Sequence, residues 1–343
     1  MSLTKLFGHN VSFDNQSVLV TGGTGSFGKT FVDYLLKKHS LKRLIIFSRD
    51  ELKQFEMQAA YPREKYPNLR FFIGDVRDPE RMRMATKDVD LIVHAAALKQ
   101  VIAMEYNPFE CIQTNIMGAQ NIVTAALENN VKKVLALSTD KAAEPINLYG
   151  ASKLASDKIF TAANNLSSKD GPKFSCVRYG NVISSRGSVV PFFSELIAKG
   201  TDHLPITHEE MTRFVITLDQ GVSFVCAAIE VMRGGELFIP KIPSVRIMDL
   251  AEAMAPELER RVVGIRPGEK LHEVLLPAAA AHVSLETNEY YIIKPELAYQ
   301  EYEAPVSPVF EPVDPAFSYA SDNNPKFLSV PEIRTVLGDL GLF

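Results

Sequence analysis

Cysteine is scarce in this chain. There are three among 343 residues, Cys111, Cys176 and Cys226, odd in number, far apart and set in apolar stretches. That pattern argues against a disulfide framework and for buried free thiols in a reducing cytosol. No CxxC pair and no Cys/His spacing suited to a metal occurs, so no metal ion is expected. Long apolar runs are also missing, and none approaches the ~18–20 residues of a membrane span. The first fifteen residues break their single apolar side chains with Lys5, His9, Asn10 and Asp14, and lack the apolar core of a signal peptide. Net charge is small, with 41 acidic residues against 37 basic ones leaving −4. So even a balance argues against nucleic acid or a membrane surface as partner. It says nothing against an anionic substrate, which local arginines would hold. The expectation is a soluble, cytoplasmic protein.

What the chain does have is 46% hydrophobic residues, enough for one large core or two unequal domains. β-rich runs at Ser17–Val20, Leu44–Phe47, Leu69–Ile73, Leu91–His94, Val134–Leu137 and Phe174–Val177 alternate with helical patterns such as Glu110–Glu128 and Tyr149–Asn164. Strand–helix alternation of this kind predicts an α/β fold with a doubly wound parallel sheet. After about Arg178 the elements shorten, punctuated by Gly180, Gly187, Pro191, Gly200 and Pro205. Leu218–Met232 and Pro331–Leu340 read as helices, Gly235–Pro243 as strand and loop, and Arg266–Lys270 as a turn followed by helix. The expected division is a dinucleotide-binding Rossmann domain over 1–180, its sheet completed by parts of 215–245, and a smaller substrate lobe with the tail over 181–343.

Thr21-Gly-Gly-Thr-Gly-Ser-Phe-Gly28 joins the first strand to the first helix. A side chain at Gly22 would crowd the tight turn, and one at Gly25 would block close backbone approach to a pyrophosphate. The helix start, with Thr24, Ser26, Phe27 and Gly28, then offers amides and a partial positive charge to the phosphates. The second strand ends in Ser48-Arg49-Asp50. A hydroxyl and a planar cation suit a ribose 2′-phosphate, so NADP is favoured, while Asp50 keeps NAD open. Asp75 and Val76 follow the third strand and can read an adenine edge. Ala95 and Ala96 follow the fourth, where small residues let the chain pass beneath a cofactor. His94 reads as a satisfied strand-end histidine.

After the fifth strand stand Ser138-Thr139-Asp140-Lys141 and then Tyr149-Gly-Ala-Ser-Lys153. On a helix, Tyr149 and Lys153 share one face. A phenol with a reference pKa of about 10 is a poor base at neutrality. A nearby ammonium and a positive nicotinamide ring would favour its phenolate, and Lys153 can also hold the nicotinamide ribose.

The order of these glycines, Asp75, Ser138-Thr139 and Tyr149/Lys153 resembles the extended short-chain dehydrogenase/reductases, most of which act on nucleotide-sugars. More narrowly, residues 48–56, 138–142, Arg178-Tyr-Gly-Asn-Val182, Met211-Thr-Arg-Phe214 and Arg266-Pro-Gly-Glu-Lys-Leu-His-Glu273 resemble the inverting UDP-N-acetylglucosamine 4,6-dehydratases of pseudaminic acid synthesis. The similarity runs from about Ser17 to at least Asn324. The resemblance implies oxidation at carbon 4, loss of water across carbons 5 and 6, and return of the hydride to carbon 6. It makes Tyr149 the acceptor of the carbon 4 hydroxyl proton, with Thr139 bonded to that oxygen. It makes Lys141 the carbon 5 base and Asp140 the acid for the leaving hydroxyl. Lys141 must then be neutral when it acts, a state that burial and Lys153 would favour. Lys99, Asn181, Arg186, Arg213, Arg266 and Glu269 become the candidates for binding UDP-N-acetylglucosamine, and a homo-oligomer is implied. One departure from the family pattern is Gln100, where histidine is usual. A 4-epimerase, which usually has small hydroxyl residues at the Asp140-Lys141 positions, a retaining 4,6-dehydratase and a non-catalytic NADP-binding protein stay open as alternatives.

Overall fold

The computed structural model describes residues 6–183, 185, 187–297, 302–305 and 309–342. Six strands, β1 (Ser17–Thr21), β2 (Arg43–Ser48), β3 (Leu69–Ile73), β4 (Leu91–His94), β5 (Lys133–Leu137) and β6 (Lys173–Val177), run parallel in the order β3-β2-β1-β4-β5-β6. Strand Leu237–Pro240 adds parallel to β6. All five residues of β1 and all four of β4 are buried. Both faces of the sheet are covered, and its central strands therefore read as unbroken apolar runs rather than alternating ones. Helix α1 (Ser26–Lys38) buries Gly28, Phe31, Val32 and Leu35 and packs beside helix Leu218–Val231. Helices Pro79–Ala85, Gly118–Glu128 and Leu148–Ala162 pack against one another. The expected doubly wound Rossmann sheet is present.

Two expectations need correction. The sheet is not completed by parts of 215–245 alone. A hairpin, Ser284–Glu286 and Tyr290–Ile293, joins antiparallel to Leu237–Pro240, and Glu311–Pro312 forms the edge. The turn at 266–270 is followed by strand Val274–Leu276, not by a helix. Gly268 holds φ at +75°, and the carbonyls of Lys270 and Leu271 are taken by the Arg213 guanidinium at 2.9 and 3.0 Å. A helix would need those same acceptors for its own amides. The helical run from Pro108 to Glu128 holds a π-helical turn at Ile112–Met117.

A second core lies under the C-terminal segments, built from Ile183, Val190, Phe193, Leu204, Ile206, Val215, Leu250, Ile333 and Leu337 among others. Helix Val330–Asp339, started by a Ser329/Glu332 capping box, closes it against helix Ile247–Met254. Cys111, Cys176 and Cys226 are buried and unpaired. Among the described residues no helix is long and apolar enough to cross a membrane.

Candidate active site

The glycine turn sits where β1 meets β4. Gly22 has φ +64°, and a Cβ there would stand 2.8 Å from the backbone of Ala95 and Ala96. Only glycine fits both conditions. At Gly28 a Cβ would stand 2.5 Å from Gly23 Cα, so this glycine lets α1 close on the turn. Gly25 is the N-cap of α1 but supplies no side-chain cap, and no acidic residue lies in the first turn. The helix start is thus left to an external anion. Phe27 stacks on Phe31 with ring centroids 5.7 Å apart, so its ring belongs to the core and only its backbone is left for a phosphate. Val76 is likewise buried.

Thr24 and Ser48 hydroxyls lie 2.9 Å apart. Arg49, about half exposed, sits 3.7 Å from the Asp75 carboxylate. Asp75 also accepts from Arg77 Nε at 2.9 Å, so its side chain orients two guanidinium groups. The Asp50 carboxylate caps helix Glu51–Ala60 through the Lys53 amide and pairs with the Lys53 ammonium. A glycine cradle, an uncapped helix start and two hydroxyls together fit a nicotinamide dinucleotide, with Arg49 half exposed beside them. His94 accepts or donates a 2.7 Å bond with Thr21, and burial together with Lys153 pushes its pKa down to about 3. It is a neutral strand-end histidine.

The stretch after β5 opens into a 3-10 turn, Asp140–Ala142, with Thr139 as its cap. Asp140 is buried, at 1% exposure. Its Oδ1 accepts from Thr139 Oγ1 at 2.9 Å and from Lys141 Nζ at 3.1 Å, while Oδ2 has no partner. Lys141 Nζ also meets Glu273 Oε1 at 3.3 Å and donates to Asn181 Oδ1 at 3.4 Å. Burial alone would push the Lys141 pKa down, but the two carboxylates outweigh it and hold the ammonium above the usual lysine range. The expected neutral amine is therefore not the resting form. Two anions flank Lys141, and they rather than Lys153 set its charge.

Tyr149 and Lys153 lie buried on helix Leu148–Ala162, which Asn147 caps through the Gly150 amide at 2.8 Å. Burial pushes the Tyr149 phenol up to about 12, against the opposing pull of the Lys141 charge and a hydrogen bond with Thr139. The lowering expected from Lys153 is not realised in the free protein. Burial drives the Lys153 pKa down, opposed by Asp157. Ser138 donates to Asp157 at 2.6 Å, and Asp157 also pairs with Arg178 at 3.1 Å, so Ser138 belongs to a buried structural network.

Lys99, Lys141, Asn181, Arg213, Arg266 and Glu269 all line one cleft of about 550 Å³ between the strand ends and the second lobe. Arg186 lies outside the described residues. The pKa of Lys99 is lowered by burial and by the Lys141 charge, which places two cations near one another. Arg213 differs from expectation. Its guanidinium donates to the carbonyls of Thr212, Leu271 and Lys270 and sits 3.5 Å from Glu269. It builds the cleft wall, whereas Arg266 is exposed on the turn. Gln100 Nε2 would stand 2.8 Å from a Cβ at Gly187, so this departure from the family pattern faces the same cleft. Glu273, buried at 2% and against Lys141, closes the Arg266–Glu273 motif but was given no role from the sequence. Its signal was a carboxylate directly before the apolar run Val274-Leu-Leu.

A family model described as "Polysaccharide biosynthesis protein" matches residues 18–295. The chain belongs to this family. Within it, the chain is 52% identical over 330 residues to a Campylobacter jejuni (serotype O:23/36, strain 81-176) protein named UDP-N-acetylglucosamine 4,6-dehydratase (inverting). That match covers 95% of this chain and 98% of the relative. The resemblance read from the motifs is borne out. A UDP-glucose 4-epimerase of Rickettsia bellii (strain OSU 85-389) is 42% identical over 288 residues, 82% of this chain and 83% of its own. The solved structure of Pen from Bacillus thuringiensis matches with a TM-score of 0.87 at 36% identity, covering 97% of this chain and 100% of that one.

Proposed function

We propose that this chain dehydrates UDP-N-acetylglucosamine across carbons 5 and 6, with inversion at carbon 5, using NADP. We place it as a cytoplasmic, self-associating enzyme opening a pseudaminic acid-type route. One observation carries the reading: a buried carboxyl–ammonium pair, Asp140 and Lys141, beside Tyr149, with Lys141 opening into the cleft that holds the candidate sugar contacts. Bound NADP supplies a hydride acceptor for carbon 4 and later the hydride for carbon 6.

Tyr149 rests as a phenol and must first release its proton to solvent. As the phenolate, which the positive nicotinamide ring of bound NADP would favour, it takes the carbon 4 hydroxyl proton, with Thr139 bonded to its oxygen. Once carbon 4 is a ketone, the carbon 5 hydrogen becomes acidic enough for a side-chain base. Lys141 rests as an ammonium, so it must first lose a proton. Asp140 Oδ1 is the acceptor in place, 3.1 Å from Nζ. Substrate that excludes water from the cleft weakens the solvation of both charges and favours the neutral pair. That single transfer makes an amine and a carboxylic acid together. The amine then removes the carbon 5 proton, and the acid protonates the carbon 6 hydroxyl as it leaves as water. Both groups end in their starting charge states, and carbon 5 takes a solvent-derived proton on its opposite face as the hydride returns to carbon 6. General acid–base help of this kind contributes about 10²–10⁴-fold per group.

NADP is supported by the half-exposed Arg49 at the end of β2 and by the engagement of Asp50 as a helix cap. A 4-epimerase is the second reading, favoured by the 42% identity to one. It needs Tyr149 and a cofactor but has no use for Asp140 and Lys141. Incubation with UDP-N-acetylglucosamine in deuterated water decides between them. Dehydration gives a product one water lighter with deuterium at carbon 5, and its NMR couplings report inversion. A product of unchanged mass makes the chain an epimerase, and none at all makes it a binding protein.

A further inference from the structure

We infer that Glu273 is a positioning residue for the proposed dehydration: it fixes Lys141 Nζ and sets how readily that nitrogen gives up a proton. This rests on the reading of Lys141 as the carbon 5 base.

Lys141 Nζ has three acceptors, Asp140 Oδ1 at 3.1 Å, Glu273 Oε1 at 3.3 Å and Asn181 Oδ1 at 3.4 Å. An ammonium has three N–H donors, so the three contacts together specify where the nitrogen sits. Asp140 is the neighbour in sequence, and Asn181 comes from a short strand of the second lobe. Glu273 comes from 132 residues further along the chain and supplies the only second charge that attracts Lys141 among these three. Its own place is over-determined. The Glu273 amide donates to Ser321 Oγ at 2.9 Å, and the Glu273 carbonyl accepts from the Ser321 amide at 2.7 Å. The buried carboxylate keeps one oxygen, Oε2, without a hydrogen-bond partner.

The charged groups facing this carboxylate are Lys141, Asp140, Arg213 and Lys270. Arg213 Nε lies 3.9 Å from Oε1 and Lys270 Nζ lies 3.9 Å from Oε2. Those facing Lys141 are Asp140, Glu273, Arg213, Tyr149, Lys99 and Lys270. Of these, Asp140 must accept the proton for the chemistry to start. Glu273 is then the anion that keeps the nitrogen in place while Asp140 changes charge. With Glu273 present, Lys141 holds its proton against the cations Arg213, Lys99 and Lys270 until substrate arrives. Without that charge, Lys141 is left with one anion and its proton affinity falls.

Two variants separate position from charge. Glu273→Gln keeps an acceptor oxygen but removes the charge, and Glu273→Ala removes both. The holoenzyme is followed by carbon 5 deuterium incorporation and by transient reduction of the nicotinamide, each across pH. With E273Q, the rising limb of deuterium incorporation moves to lower pH by about one unit or more, as expected on losing an opposite charge within ~4–6 Å. With E273A, incorporation falls at least about tenfold at every pH while nicotinamide reduction stays within about threefold. Equal losses in both steps, or an unmoved limb in E273Q, overturn the assignment. The 13Cε shift of Lys141 supplies a readout free of turnover: its midpoint drops in E273Q if Glu273 sets its charge and stays put if not. Wild-type protein that makes no dehydrated sugar refutes the proposed activity, and the Lys141 titration still decides the role of Glu273.

Discussion

Replacing Lys141 by methionine keeps most of the side-chain stem and removes the cation between two buried carboxylates. Asp140 and Glu273 are 1% and 2% exposed and lie 3.1 and 3.3 Å from Lys141 Nζ. Removing one partner of a buried ion pair costs about 3–5 kcal/mol. Here the loss is smaller, because Asp140 keeps the Thr139 hydroxyl at 2.9 Å, Glu273 keeps Arg213 at 3.9 Å, and the Lys141 side chain is itself 26% exposed. A destabilisation of about 2–3 kcal/mol is expected near pH 8, or a fall in Tm of about 3–4 °C for a chain of this size. The stranded carboxylates find relief only by taking up protons. The deficit therefore shrinks as pH falls towards about 5.5, because protonation removes the charge that burial penalises. Chemical denaturation of both proteins at the two pH values measures it, and product analysis on the same samples should show dehydration lost by at least about 10²-fold. Equal stability of variant and parent at high pH would mean that Lys141 does not neutralise this cluster. Retained dehydration would remove it as the base.

Tyr149→Phe should slow the first hydride removal by about 10²–10⁴-fold, read as loss of the transient reduced-nicotinamide absorbance in a single turnover; an undiminished transient assigns the proton to another group. Arg49→Ala should weaken NADP by roughly 10–100-fold, the scale of a hydrogen bond to a charged group, and NAD by much less. Equal losses in titrations of the two cofactors would move the cofactor assignment to NAD. Gly22→Ala forces a Cβ to 2.8 Å from the Ala95 and Ala96 backbone at φ +64°. A stability loss of about 1–3 kcal/mol in denaturant and weakened cofactor binding should follow. Unchanged binding would show that the turn yields without strain.

The parallel strands were legible because burial on both faces leaves runs such as Leu44-Ile-Ile-Phe47 with no alternation to confuse them. The chemistry after β5 was legible for a similar reason: Thr139, Asp140 and Lys141 are adjacent in the chain and need only a tight turn to converge. What lay hidden depends on distant partners. The hairpin at Ser284–Ile293 is short, and its partner strand Leu237–Pro240 lies far back in the chain. Whether residues after Lys270 coil or extend is decided by Arg213, nearly sixty residues earlier, claiming their carbonyls. Arg213 was expected to bind the nucleotide-sugar, and a lone arginine in sequence does not show whether its donors point to a ligand or, as here, to backbone carbonyls. Burial and Lys153 were expected to favour a neutral Lys141 when it acts, because Glu273 had not been placed beside it.

The segment from Lys270 to Leu276 joins the halves of the molecule mechanically. Leu271 packs on the C-terminal core and Leu275 is part of the core beneath the large sheet. Arg213 grips its start, and Arg178, leaving β6, donates to the Leu275 carbonyl at 3.1 Å. Loss of order in either half therefore releases the strap that the other half depends on, and the two should melt in a single cooperative transition rather than one after the other. A fragment cut after residue 180 could still form the glycine cradle, but it would leave Lys141 without its distant carboxylate and hold a nucleotide with nothing beside it to act on.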